Sequence, residues 1–115
     1  MPGPGGAVVH AEMRIGNSII MLGEEAPEMG AVSPQALGGS PLGLLLYVED
    51  VDKRFERATK AGCTVKMPPT DMFWGDRYGK LQDPFGHLWS IATHKEDVPP
   101  EEMKKRAAAA FAAGC

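Results

Sequence analysis

The stretch Asp71-Met-Phe-Trp-Gly-Asp-Arg-Tyr-Gly-Lys-Leu-Gln-Asp-Pro-Phe-Gly-His-Leu-Trp-Ser-Ile-Ala-Thr-His94 decides how this chain reads. It holds two strand-like runs, residues 77–82 and 87–93, joined by Asp83-Pro84-Phe85-Gly86. Pro84 presets φ for the second position of a turn, and Gly86 supplies the positive φ that closes it. Immediately upstream, residues 42–48 form a continuous apolar run, the pattern of a strand buried on both faces. Asp50 is placed as a helix N-cap, Val51, Phe55, Ala58 and Thr59 follow with helical spacing, and Gly62 sits where a helix ends. Residues 63–67 read as a further strand, ended by Pro68-Pro69. Residues 42–94 therefore read β-α-β-β-β.

Working outward, residues 8–15 alternate with period two. Val9, Ala11, Met13 and Ile15 share one face and His10, Glu12 and Arg14 the other. Gly16-Asn17 suits a two-residue hairpin turn because both tolerate positive φ, and residues 18–22 form the returning strand. Residues 23–41 carry no clear period and read as a long connection. Pro99-Pro100-Glu101-Glu102 opens a C-terminal helix over 99–113, since proline lacks an N–H that the first turn does not use and acids favour the positive end of the helix dipole. Met103, Ala107, Ala110 and Phe111 make a thin apolar stripe on it, enough to dock on a neighbouring surface or a partner subunit.

A length of 115 residues accommodates a single domain. A net charge of −3 with acids and bases interspersed argues against a nucleic-acid groove or an anionic membrane surface. No apolar run approaches the roughly 18 residues of a membrane span. The uncharged, Gly/Pro-rich residues 1–7 lack the regions of a signal peptide. Two cysteines, Cys63 and Cys115, are too few for a disulfide framework. These features fit a cytoplasmic protein with reduced thiols.

The β-α-β-β-β order, closing on Asp83-Pro84-x-Gly86-His87-x-Trp89, resembles the repeating module of the vicinal oxygen chelate superfamily. That superfamily includes glyoxalase I, extradiol dioxygenases and the bleomycin- and fosfomycin-resistance proteins. The resemblance implies an α+β fold with a curved mixed sheet and helices on one face. Two modules pair in these proteins so that their sheets enclose a cavity. Here residues 42–94 match a whole module, while residues 5–22 match only the last two strands of a first one. A sheet without its partner module has an open edge and an uncovered face, so a homodimer that completes the cavity is expected, most simply about a two-fold axis. The competing reading is a truncated relic of marginal stability.

The resemblance also implies where a metal would sit. Metal-using members take ligands from the opening and closing strands of each module. The corresponding positions here are Met21, Gly43 and Ser90, and none is a serviceable ligand for a divalent ion. No cofactor is expected on this basis. Binding a small organic molecule is the leading expectation, with His10, Glu12, Arg14, Met21, Leu45, Tyr47, Trp74 and Ser90 as the candidate site. Leu45, Tyr47, Met21 and Ser90 would line a mostly apolar wall carrying one phenol, and Trp74 would close over a ligand or sit in a dimer contact. The alternative is an enzyme of lyase, isomerase or dioxygenase type. It would use His10 and Glu12, two residues apart on one strand face, as an acid/base pair or as two donors to a divalent metal. The same polar row also suits a solvated strand face. Trp89 reads as core, Asp76 and Arg77 as a pair across the hairpin, and His94 as a strand end with no nameable partner.

Overall fold

The computed structural model describes residue 8 and residues 10–112, which fall into two compact units, one ending at Gly38 and one starting at Gly39. Val9, Cys115 and the last residue of the expected tail helix lie outside the described residues.

The first unit is built on an antiparallel hairpin, β1 (Ala11–Ile15) and β2 (Ser18–Leu22), in the register Glu12↔Met21, Arg14↔Ile19. The turn is Gly16-Asn17, with Gly16 at φ 61°. After it come a short 3₁₀ turn at Pro27–Met29 and a one-turn helix, α1 (Pro34–Leu37), capped by the Ser33 hydroxyl, which accepts from the Ala36 N–H. The connection thus carries more local structure than its lack of periodicity implied, because Gly30 and Gly38 each close a turn in the left-handed region.

The second unit is the βαβββ module. Strands β3 (Gly43–Tyr47), β4 (Thr64–Asp71), β5 (Asp76–Gln82) and β6 (Leu88–His94) form one sheet in the order β3-β6-β5-β4. β3 runs parallel to β6 and the other pairs are antiparallel, so the sheet is mixed. Helix α2 (Val51–Lys60) crosses from β3 to β4. It starts where the sequence signals a cap, with the Asp50 carboxylate accepting from the Lys53 N–H. The buried Thr93 hydroxyl accepts from the Val51 N–H at 2.8 Å and fastens the same helix end to β6.

One face of the sheet packs on α2. Val51, Phe55, Leu81 and Ile91 form the buried core, with Val48, Ala58, Cys63 and Trp89 packed around it. Trp89 is half-buried rather than enclosed, because its indole N–H reaches out to the Asp83 carboxylate at 3.0 Å. The other oxygen of Asp83 accepts from the Phe85 and His87 N–H groups, so one carboxylate ties the Asp83–Gly86 turn to both strands it joins.

Two strand expectations are corrected. β3 is an edge strand with only one face covered: Leu44 and Leu46 turn inward while Gly43, Leu45 and Tyr47 are exposed. Its apolar run reflects two different surroundings, the helix-packed face and an open one. β4 does not stop at Pro68-Pro69 but continues to Asp71. It lies at the opposite edge, and its pairing shifts register between Val65 and Met67 and again between Met67 and Thr70, so the prolines withhold no ladder bond there.

Helix α3 (Pro100–Ala112) ends the described chain. Met103, Ala107 and Ala110 are half-buried as the stripe suggested, but no residue of α3 is fully buried and Phe111 is largely exposed.

Candidate ligand-binding site

Among the described residues α2 is the helix that packs on this sheet, and the opposite face carries exposed Leu45 and Tyr47 beside the buried Ala92 and Asp76. Residues paired directly across strands share a face, so the register places Leu45 beside Ser90 and Lys80, and Tyr47 beside Ala92 and Tyr78. Asp76 and His94 pair at the end of the same rows. Leu45 and Tyr47 are 53% and 61% exposed, large apolar surfaces on an otherwise regular sheet. The Tyr78 and Ser90 hydroxyls are 2.8 Å apart and form one polar spot within that surface.

The face is organised around Asp76. Its carboxylate is 4% exposed, and three side chains donate to it. Tyr47 donates its hydroxyl to Oδ2 at 2.7 Å, Trp74 its indole N–H to the same oxygen at 3.0 Å, and His94 its Nδ1–H to Oδ1 at 2.8 Å. Burial alone would raise the Asp76 pKa, but the hydrogen bonds from His94, Tyr47 and Trp74 and the His94 charge outweigh it and hold the group below the usual range. His94 is pinned at both ring nitrogens, since Nε2 lies 2.7 Å from the exposed Asp97 carboxylate. Both nitrogens can donate only in the imidazolium form. Asp76 first and Asp97 second accordingly raise the His94 pKa above its ordinary value. The Tyr47 phenol is also raised, chiefly because its proton is held by Asp76, so it stays protonated and offers its lone pairs outward.

Among the candidate residues, Leu45, Tyr47, Trp74 and Ser90 come together in the second unit. Trp74 stacks edge-on against Tyr78, with ring centroids 5.7 Å apart, and so stands at the border of the open face. His10, Glu12, Arg14 and Met21 belong to the hairpin unit. There His10 Nε2 lies 3.3 Å from Glu12 Oε1, and Glu12 pairs directly with the exposed Met21.

The sequence reading missed Asp76, His94, Asp97 and Tyr78. Alternation along β5 and β6 does put residues 76 and 78 on the face of Ser90 and residue 94, but it could not show that Asp97 folds back on His94. The expected Asp76–Arg77 pair does not form, because neighbouring residues on a strand point to opposite faces. Arg77 instead bridges Asp52 of α2 and Asp71 of β4.

The metal positions implied by the module were tested against the side chains that occupy them. Gly43 has no side chain, the Ser90 hydroxyl is engaged with Tyr78, and Met21 offers only a thioether. Among the described residues no group of three or more His, Cys, Asp or Glu is arranged to hold a metal ion. This donor set does not fit the divalent site of the metal-using members. An open depression of about 400 Å³ lies between Asp71, Met72, Gly75, Asp76, Lys95 and Glu96. Four of its six lining residues, Asp71, Asp76, Lys95 and Glu96, carry charge, and Leu45 and Tyr47 are not among the six.

Residues 2–91 match the family model described as the Glyoxalase/Bleomycin resistance protein/Dioxygenase superfamily. An uncharacterized protein of Mycobacterium bovis is 42% identical over 107 residues, covering 90% of this chain and 70% of the relative. A Mycobacterium tuberculosis protein, likewise uncharacterized, is 42% identical over the same length; the chain covers 63% of it, less than two thirds. Among solved structures, TioX from Micromonospora sp. ML1 aligns with a TM-score of 0.55 at 29% identity, covering 86% of this chain and 78% of that one. With its mixed four-stranded sheet, its single crossover helix and this match over most of its length, the chain belongs to the glyoxalase/bleomycin resistance/dioxygenase superfamily.

Proposed function

We propose that this protein binds a small organic molecule on the open face of its four-stranded sheet, without a divalent metal, and that a second copy of the chain completes the cavity. The observation that carries the reading is the face itself. Exposed Leu45 and Tyr47 lie beside the Ser90–Tyr78 hydroxyl pair, and Trp74 and the buried Asp76 fix one end of it. An apolar wall with a few oriented polar groups is the usual make-up of a site for an organic ligand. Leu45 and Tyr47 lie on an edge strand, where a second chain can cover apolar surface and edge together. His10, Glu12 and Arg14, a polar row, and Met21, an apolar contact, are further ligand-binding residues in this reading, all within the hairpin unit. The location proposed is the cytoplasm. Cys63 is a free thiol, and among the described residues no helix is long and apolar enough to cross a membrane.

Native mass spectrometry of chelator-treated protein, with and without the fluorescent dye 1-anilinonaphthalene-8-sulfonate, tests these points together. The reading requires a metal-free dimer that takes up dye in whole numbers per chain. A monomer that takes up none would favour the relic.

The second reading is a lyase, isomerase or dioxygenase acting through His10 and Glu12, and the 3.3 Å approach of their side chains is what favours it. Stoichiometric metal in the untreated protein that disappears in His10→Ala would support it over the binding protein.

A further inference from the structure

Trp74 stands between two residues that are each gripped from elsewhere in the fold. On one side, the Gly75 carbonyl accepts from the N–H groups of Lys95 at 2.8 Å and Glu96 at 3.0 Å. Gly75 has φ 100° and packs so tightly on the Glu96 carbonyl that no side chain fits there. On the other side, the Phe73 carbonyl accepts from Arg106 Nη1 of α3 at 3.3 Å. The same guanidinium also donates to Glu96 and, through Nε, to Glu102 at 3.1 Å. One side chain thus links the C-terminal helix, the segment after β6 and the loop that carries Trp74.

A series of rings runs alongside these bonds. Phe111 lies against Phe73 with centroids 6.3 Å apart, Phe73 against Trp74 at 5.0 Å, and Trp74 against Tyr78 at 5.7 Å, all edge-to-face. Tyr78 in turn meets Ser90 on the open face. Asp76 holds the N–H end of the indole, and the Gly75 N–H, donating to the Met72 carbonyl at 3.1 Å, closes the turn around the Phe73 backbone. That backbone is what Arg106 holds. Lysine could not do this equally well, because only the planar fork presents several fixed donors to a carbonyl and two carboxylates at once.

We propose that Arg106 is a positioning residue, which sets the Trp74 indole at the border of the ligand face by holding the Phe73 carbonyl. The proposal rests on the reading of that face as the ligand site. α3 buries none of its residues fully, so its hold on the loop depends on this polar junction more than on packing.

Incorporating 5-fluorotryptophan and recording ¹⁹F NMR tests the proposal in the full chain. The protein has two tryptophans, so Trp89 serves as an internal control and Trp74→Phe assigns the signals. In Arg106→Ala the Trp74 resonance should move or broaden while that of Trp89 stays in place. Affinity for 1-anilinonaphthalene-8-sulfonate should fall about tenfold, the equivalent of one charge-assisted hydrogen bond. Arg106→Lys should recover part of both effects, and Glu102→Gln, which removes only the partner within the helix, should change neither. If Arg106→Ala does not fold, Arg106→Gln keeps the packed stem without the fork and reads the same quantities. An unmoved Trp74 resonance in the folded variant overturns the proposal whatever the dye does. A moved resonance with dye affinity unchanged in both Arg106→Ala and Trp74→Phe upholds the positioning role and removes Trp74 from the ligand site.

Discussion

Replacing Asp76 with alanine removes the acceptor of three donors at once, and the structure sets how much that should cost. The Trp74 indole N–H is half-buried and loses its partner, a loss of about 1–3 kcal/mol. Tyr47 and His94 are 61% and 52% exposed, so water replaces the carboxylate for them at small cost. The sum is about 1–3 kcal/mol, below the cost of breaking a fully buried pair. For a unit of this size, that lowers the thermal midpoint by about 5–20 °C. Asp76→Asn keeps an oxygen for Tyr47 and Trp74 but faces His94 with an amide and no charge, so it should fall between the two. Urea titration followed by circular dichroism gives the difference directly. A change below about 0.5 kcal/mol in Asp76→Ala would match an ordinary surface substitution and refute the view that this carboxylate organises the face.

Two further outcomes follow from the same geometry. The folded pKa of Asp76 is lowered, so its contribution is complete above its ordinary value near 3.8 and is lost as acid protonates it. That of His94 is raised, so its contribution is complete below its ordinary value of 6.5 and is lost as pH rises through the folded value. The stability gap between wild type and Asp76→Ala should therefore be widest from about pH 4 to 6.5 and narrow on either side; a gap flat from pH 3 to 9 would contradict this. Gly79→Ala places a methyl group against the Phe55 ring and the Met67 carbonyl, both held in or beside the core. It should cost about 1–3 kcal/mol in the same titration, and an unchanged midpoint would show that the core has room to give.

The module was legible because its signals are local. Asp50 caps a helix, Asp83-Pro84-Phe85-Gly86 closes a hairpin, and Gly16-Asn17 closes another, each through its own backbone preferences. Leu45, Tyr47 and Ser90 could be placed on one face because strand alternation has a fixed period. What the sequence could not convey is long-range. Whether residues 42–48 lie at the centre or the edge of a sheet depends on strand order, and the same apolar run suits both. Pro68-Pro69 reads as a stop unless β4 is known to be an edge strand. The Asp76 cluster draws on β3, β5, β6 and the segments beside β5 and β6, separations that no motif spacing records. Arg106 lies 33 residues from the carbonyl it holds.

The proposed binding of an organic molecule to the open sheet face needs no metal. Fluorescence titration of chelator-treated protein with 1-anilinonaphthalene-8-sulfonate, comparing wild type with Leu45→Asp, tests it most directly. Leu45 is 53% exposed, so a carboxylate there should leave the fold intact while placing charge in the apolar wall. Saturable binding to the metal-free wild type is expected, with a loss of at least about tenfold in the variant, since a single well-packed apolar side chain contributes about 1.5–3 kcal/mol. Binding that appears only when Zn²⁺ or Mn²⁺ is restored, or that is equally tight in Leu45→Asp, would contradict it.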